Sequence, residues 1–99
     1  MVRPRKCRKV MATPNVTYFK PRSVPLGQLD EVCLSIDGFE ALRLADFQGL
    51  NHEEAAAEMH VSRQTFGRML SEARRCVAKV LAEGLALKIE GGHYTISEA

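Results

Sequence analysis

Leu50-Asn51-His52-Glu53-Glu54-Ala55-Ala56-Ala57-Glu58-Met59-His60-Val61-Ser62-Arg63-Gln64-Thr65-Phe66-Gly67-Arg68 holds two helix starts eleven residues apart. Asn51 is an N-cap residue with Glu54 three positions on, the reciprocal pair of a capping box, and Leu50 stands where an apolar staple belongs. The helix that follows closes near Met59. Its inward positions, Ala55, Ala56 and Met59, carry little bulk midway, so another helix can come close. His60-Val61 forms the turn, and Ser62 caps the next helix. That helix repeats Phe66, Met69 or Leu70, Ala73, Val77 and Leu81 or Val80 at intervals of three and four. Gly84 weakens or ends it. Gly67 costs about 1 kcal/mol against Ala and fits either a close approach or simple tolerance.

Outward from this pair the pattern changes. Upstream, Asp37 with Glu40 reads as a second capping box opening an earlier helix, with Phe39, Leu42 and Ala45 as its apolar stripe and Gly49 as its end. Pro14, Pro21 and Pro25 break up the segment before it. Val16 to Phe19 reads as an edge strand or a packed loop, and Leu29 to Leu34 as a short strand or a helical turn. Downstream, Leu87, Ile89, Tyr94 and Ile96 follow a period of two around Gly91-Gly92, which suits a tight hairpin or an arm crossing to a partner. The expected fold is mainly α: a small helical domain with a helix-turn-helix at about 51–81, an extended basic N-terminal arm and a short C-terminal β-hairpin or arm. The expected segments are 1–36 for the basic arm and irregular region, 37–84 for the helical domain, and 85–99 for the hairpin or dimerisation arm.

The chain has 99 residues, enough for one domain with a small core, given that 45% of its residues are hydrophobic. A formal net charge of +2 conceals an asymmetry. Residues 1–22 carry seven Lys/Arg and no Asp/Glu, whereas residues 23–99 carry seven against twelve. Gathered cations at one end suit a polyanion. Aromatic residues make up only 6%, too few for a surface that stacks single-stranded bases. Three cysteines, Cys7, Cys33 and Cys76, fit no zinc spacing, and their odd number argues against a secreted disulfide scaffold. Cys33 and Cys76 read as core or boundary residues, and His52, His60 and His93 form no ligand pattern. No apolar run follows the basic start, so neither a signal peptide nor a membrane span is read. The expectation is a cytoplasmic, nucleoid-associated protein with no cofactor and no metal.

Function is expected in the first turns of the second helix of the pair. In a helix-turn-helix that helix enters the major groove, and its N-terminal residues meet base edges. Arg63, Gln64 and Arg68 lie largely off the apolar stripe and are the expected base contacts, since Arg can bind guanine and Gln adenine in a bidentate way. Ser62 and Thr65 suit phosphate at the helix N-terminus, and Arg74, Arg75 and Lys79 extend a phosphate-binding strip. Arg43 divides between the DNA backbone and a pair with Asp46 or Glu40. Arg3, Arg5, Lys6, Arg8 and Lys9 form an arm for the neighbouring minor groove, with Pro4 holding it extended. The partners expected are double-stranded DNA and a second copy in a homodimer, so that two helices face two half-sites.

The stretch Asp37-Gly38-Phe39-Glu40-Ala41-Leu42-Arg43-Leu44-Ala45-Asp46, then Gly49-Leu50, Glu54-Ala55-Ala56 and Val61-Ser62-Arg63-Gln64-Thr65-Phe66-Gly67-Arg68, resembles a family of small prokaryotic proteins, the UPF0251/DUF134 type. Arg3-Pro4-Arg5-Lys6, Phe19-Lys20-Pro21 and Leu87-Lys88-Ile89-Glu90-Gly91-Gly92 carry the likeness over nearly the whole chain. The resemblance implies a DNA-binding protein. The same core resembles the promoter-reading C-terminal region of bacterial sigma factors, which implies Arg63, Gln64 and Arg68 as readers. Many family members pair a cysteine near the position of Met11 with the one at Cys7; Met11 breaks that pair here. The rival expectation is a protein–protein adaptor or anti-sigma-like module on the same fold, favoured by the acidic balance of residues 23–99. An enzyme is not expected, because the sequence shows no phosphate loop and no nucleophile elbow.

Overall fold

A computed structural model describes residues 7–96. It is a small mixed α/β domain, mostly helical. In chain order the elements are β1 (Arg8–Val10), β2 (Tyr18–Phe19), a 3₁₀ turn (Leu26–Gln28), β3 (Glu31–Leu34), α1 (Ile36–Leu42) running into a π-helical turn (Arg43–Phe47), α2 (His52–Met59), α3 (Arg63–Glu83), β4 (Ala86–Ile89) and β5 (Tyr94–Ile96).

The two caps expected around the central turn are present. Asn51 accepts from the Glu54 amide while Glu54 reaches back to the Asn51 amide, at 2.8 and 3.0 Å. Ser62 accepts from the Thr65 amide at 3.1 Å. Between them His60 takes a left-handed conformation, φ 56°, so that α2 ends sharply and α3 leaves in a new direction. Ala55, Ala56 and Met59 are buried as expected, against Phe66, Leu70 and Ala73 of α3. Asn51→Ala should therefore cost about 1 kcal/mol, read as a lower urea midpoint with an unchanged m-value. A variant as stable as the parent would show that the capping box adds nothing in this context.

The start of α1 differs from expectation. Ser35, not Asp37, is the N-cap, accepting from the Gly38 amide at 3.1 Å. Asp37 and Glu40 lie inside the helix and are buried, at 5% and 3% exposure. Their spacing of three mimics a capping box, but it also sets both on one face, and that face meets β1. Arg8 donates to Asp37 at 3.0 Å, and the Met11 amide donates to Glu40 at 2.9 Å. Arg43 closes a two-point contact on Glu40, at 2.6 and 2.9 Å. Inward packing falls on Ile36, Ala41 and Leu44, with Phe39, Leu42 and Ala45 half-buried.

The expected C-terminal hairpin is not formed. β4 and β5 belong to different sheets: β4 is the centre of a three-stranded sheet, antiparallel to β2 and parallel to β3, while β5 pairs in parallel with β1. The reason lies in the residues of β4. Ala86, Leu87 and Ile89 are all buried, so the strand is covered on both faces, as central strands are and exposed hairpins are not. Gly91 and Gly92, both at positive φ, turn the chain away from β4 toward β1. At Gly92 a side chain would run into the Asp37 carboxylate, so glycine is required there. The ambiguous Leu29–Leu34 segment contains a strand, and Tyr18-Phe19 is an edge strand. Val10, from the end of the basic segment, sits in the core at 1% exposure with Phe66, Met59 and Leu70.

Candidate nucleic-acid interface

Along α3 each residue turns about 100° from the last. With Phe66, Leu70 and Ala73 inward, the opposite side carries Gln64, Arg68, Ser71, Arg75 and Lys79. These five, with Gly67, line one open groove whose other wall is Glu31 and Val32 of β3, with Glu72 and Cys76 at its edge. Four of the residues expected to contact DNA are thus brought together: Gln64, Arg68, Arg75 and Lys79. Ser71 joins them, although only the helical period signals it, three residues after Arg68 and four before Arg75. All five are exposed. Among the described residues, Arg63, Arg68, Arg75 and Lys79 have no carboxylate within ion-pair distance.

The other expected site residues divide differently. Arg63 is exposed in the first turn, about 100° around the helix from Gln64, on the flank shared with Arg74. Arg74 is engaged already: its guanidinium makes a two-point contact with Asp46, at 2.7 and 3.0 Å. That contact holds the Asp46 carboxyl below its ordinary range and raises Arg74. Both groups are largely exposed, so the pair adds little stability. Ser62 and Thr65 bond to each other, the Ser62 hydroxyl donating to Thr65 Oγ1 at 3.0 Å. The Thr65 hydroxyl keeps its own proton for an outside acceptor. The amides of Arg63 and Gln64 have no acceptor within the helix. Arg43 is spent on Glu40, which raises the guanidinium's pKa.

Of the N-terminal cations, Arg3, Arg5 and Lys6 lie outside the described residues. Arg8 and Lys9 lie in β1, and the Arg8 side chain is turned inward to Asp37 at 13% exposure. Arg8 lines a cleft of about 270 Å³ together with Met69, Glu72, Cys76 and His93. β1 itself packs against α1, α2 and β5, and the Arg8 side chain reaches the cleft that α3 also lines. Asp37 Oδ1 faces this region with no hydrogen-bond partner among the described residues, closed over by Gly92.

Cys33 is exposed, contrary to its reading as a core or boundary residue, with its Sγ 3.7 Å from the Glu90 carbonyl. Cys76 is half-buried, and burial pushes its thiol up. Among the described residues no group of three or more His, Cys, Asp or Glu side chains is placed to hold a metal ion. Among the described residues no helix is long and apolar enough to cross a membrane. Gly67 meets only His52 Nδ1, at an ordinary 3.9 Å from where a Cβ would lie, so it reflects tolerance and not a forced close approach.

A small mixed α/β domain that leaves one polar, cationic side of its longest helix open is the class these features define. The chain belongs to the family described as "Protein of unknown function DUF134", whose model matches residues 1–97. It is 56% identical over 94 residues to a UPF0251 protein of Desulfosudis oleivorans, covering 95% of this chain and 68% of that one. A UPF0251 protein of a Thermoanaerobacter species is 51% identical over 98 residues, covering 99% of this chain and 87% of the relative. A UPF0251 protein of Moorella thermoacetica is 52% identical over 94 residues, covering 95% and 63%. No solved structure matches the chain.

Proposed function

We propose that this protein binds double-stranded DNA and regulates transcription, with α2, the His60–Ser62 turn and α3 acting as a helix-turn-helix. The observation that carries the reading is the side of α3 bearing Gln64, Arg68, Ser71, Arg75 and Lys79, exposed and without ion pairs among the described residues. Gln64 and Arg68, nearest the helix N-terminus, suit base edges. Arg75 and Lys79, two and three turns further on, suit phosphates, as do Thr65 and the first amides of α3. Arg63, on the flank, fits the wall of the groove better than its floor. The resemblance to the promoter-reading region of sigma factors supports the same assignment. The exposed side of α2 carries Glu53, Glu54 and Glu58, so docking runs through α3 and not through α2.

The test is selection of bound duplexes from a random DNA pool by the purified protein at about 150 mM salt. Enrichment of a defined site supports the reading, and a palindrome adds two-fold symmetric binding. Glu31 and Glu72, which line the same groove, favour a second reading, a protein-binding adaptor. That reading expects weak DNA binding at every salt concentration and no enriched sequence.

Removing residues 1–6 takes away Arg3, Arg5 and Lys6 but leaves Arg8 on Asp37. Binding should weaken and the logarithmic salt slope flatten by up to about 0.9 per cation lost; an unchanged slope would place the arm off the phosphates. Asp46→Asn removes a negative charge and releases Arg74. DNA affinity should rise a few-fold, with a steeper salt dependence. An affinity equal to the parent's at both low and high salt would mean that Arg74 never reaches the nucleic acid.

A further inference from the structure

The side of the domain away from the cationic face has an apolar groove between the β2–β4 sheet and the helices. Phe19, Phe39, Leu42, Val77, Leu87 and Ile89 line it, and Phe47 stands at its margin. Phe47 is 85% exposed and Phe19 50%. Leu81, 78% exposed, lies one turn beyond Val77, on the flank of α3 that carries Arg74 toward Asp46. The π-helical turn of residues 43–47 ends on Phe47.

We propose that this face is where two copies of the chain associate about a two-fold axis, each setting its Phe47 into the groove of the other. Charge decides for a second copy over a charged partner. The two ionic groups in the groove are neutralised within the chain, Arg43 by Glu40 and Asp46 by Arg74. The face is apolar and electrically balanced, so it meets its own image without repulsion and offers an acidic or basic partner no unpaired counter-charge. Area agrees. Covering Phe47, Phe19 and Leu81 removes roughly 400 Å² of apolar surface per copy, given about 150–250 Å² for a whole aromatic side chain. Doubled, and with the half-buried groove walls added, this reaches the roughly 1,000 Å² of a stable interface. A projecting residue beside a matching groove on one face is the arrangement an isologous contact requires. Val77 and Arg75 lie on opposite sides of α3, so association here leaves Gln64, Arg68 and Arg75 open.

Sedimentation equilibrium of the full chain should show a dimer at tens of micromolar. Phe47→Asp should raise the dimer Kd by about thirtyfold or more with the helical circular dichroism unchanged, since the side chain is exposed. Leu81→Asp, on a separate element, should weaken association in the same direction. A parent chain that remains monomeric, or a doubly substituted chain that remains dimeric, overturns the proposal. The interface does not depend on DNA binding, and a duplex carrying one half-site separates the two. Equal half-site binding by the parent and by Phe47→Asp, with dimerisation lost in the variant, supports both. Absence of half-site binding in each, with the dimer lost only in the variant, overturns the DNA reading and leaves the interface standing.

Discussion

Phe66→Ala should lower stability by about 3–5 kcal/mol, out of the roughly 5–15 kcal/mol typical of a domain. Phe66 is fully buried and is the largest such side chain. It projects from the second turn of α3 into the packing against α2, where its ring meets His52 edge-on, centroids 5.5 Å apart at 65°. Its core neighbours on α2 are Ala55 and Ala56, too short to move into the space a deletion would leave, and Met59, which can fill only part of it. Most of the cavity term therefore remains. Thermal unfolding should shift down by more than about 10 °C for a chain of this size. A shift below about 3 °C would mean that α2 and α3 do not hold each other through this ring.

Arg68→Ala is expected to weaken binding to the selected DNA site by about tenfold to a hundredfold, the 1–3 kcal/mol of a bidentate base contact. Arg68 lies at the middle of the open side of α3, exposed, and no carboxylate among the described residues competes for it. The loss should be specific: the preference at one base position should relax while nonspecific binding changes little. Lys at this position should not restore it, because a point charge cannot reproduce the planar two-point contact. Arg74→Ala is the internal contrast. Its guanidinium is held by Asp46, so its removal should cost much less. Equal losses at both positions, uniform over all sequences, would reduce the face to a nonspecific phosphate contact. No loss at Arg68 would remove α3 from the interface.

The parts of the fold visible in the residues were those governed by local chemistry. Asn51 with Glu54, Ser62, and Gly84 mark helix ends through side chains and backbone angles within one turn of themselves, and the structure places all three ends there. The apolar period of α3 likewise pointed to Phe66, Leu70 and Ala73. Asp37 and Glu40 misled for a physical reason. The spacing that makes a capping box also puts two acids on one helical face, and only the arrival of Arg8 and the Met11 amide determines which use prevails. Cys33 misled because β3 is an edge strand, where a residue that composition alone would bury can line an open cleft and stay exposed.

The candidate site shows the same division. That Arg68 and Arg75 share a side of α3, with Arg74 about 100° away, follows from seven residues making nearly two turns. That Arg74 is occupied by Asp46, 28 positions earlier, and that Glu31 closes the far wall of the groove, does not. The sequence by itself determined that there are three helices, the inward residues of α2 and α3 and the side of α3 on which the cations gather, because each depends on a period or a cap spanning only a few residues. Only the tertiary structure decided that β4 lies between β2 and β3, that β5 joins β1, and that Arg8 and Val10 belong to the packed domain. Strand pairing and buried ion pairs join residues far apart in the chain, and no local pattern records which distant partner will satisfy a given amide, carboxylate or apolar face.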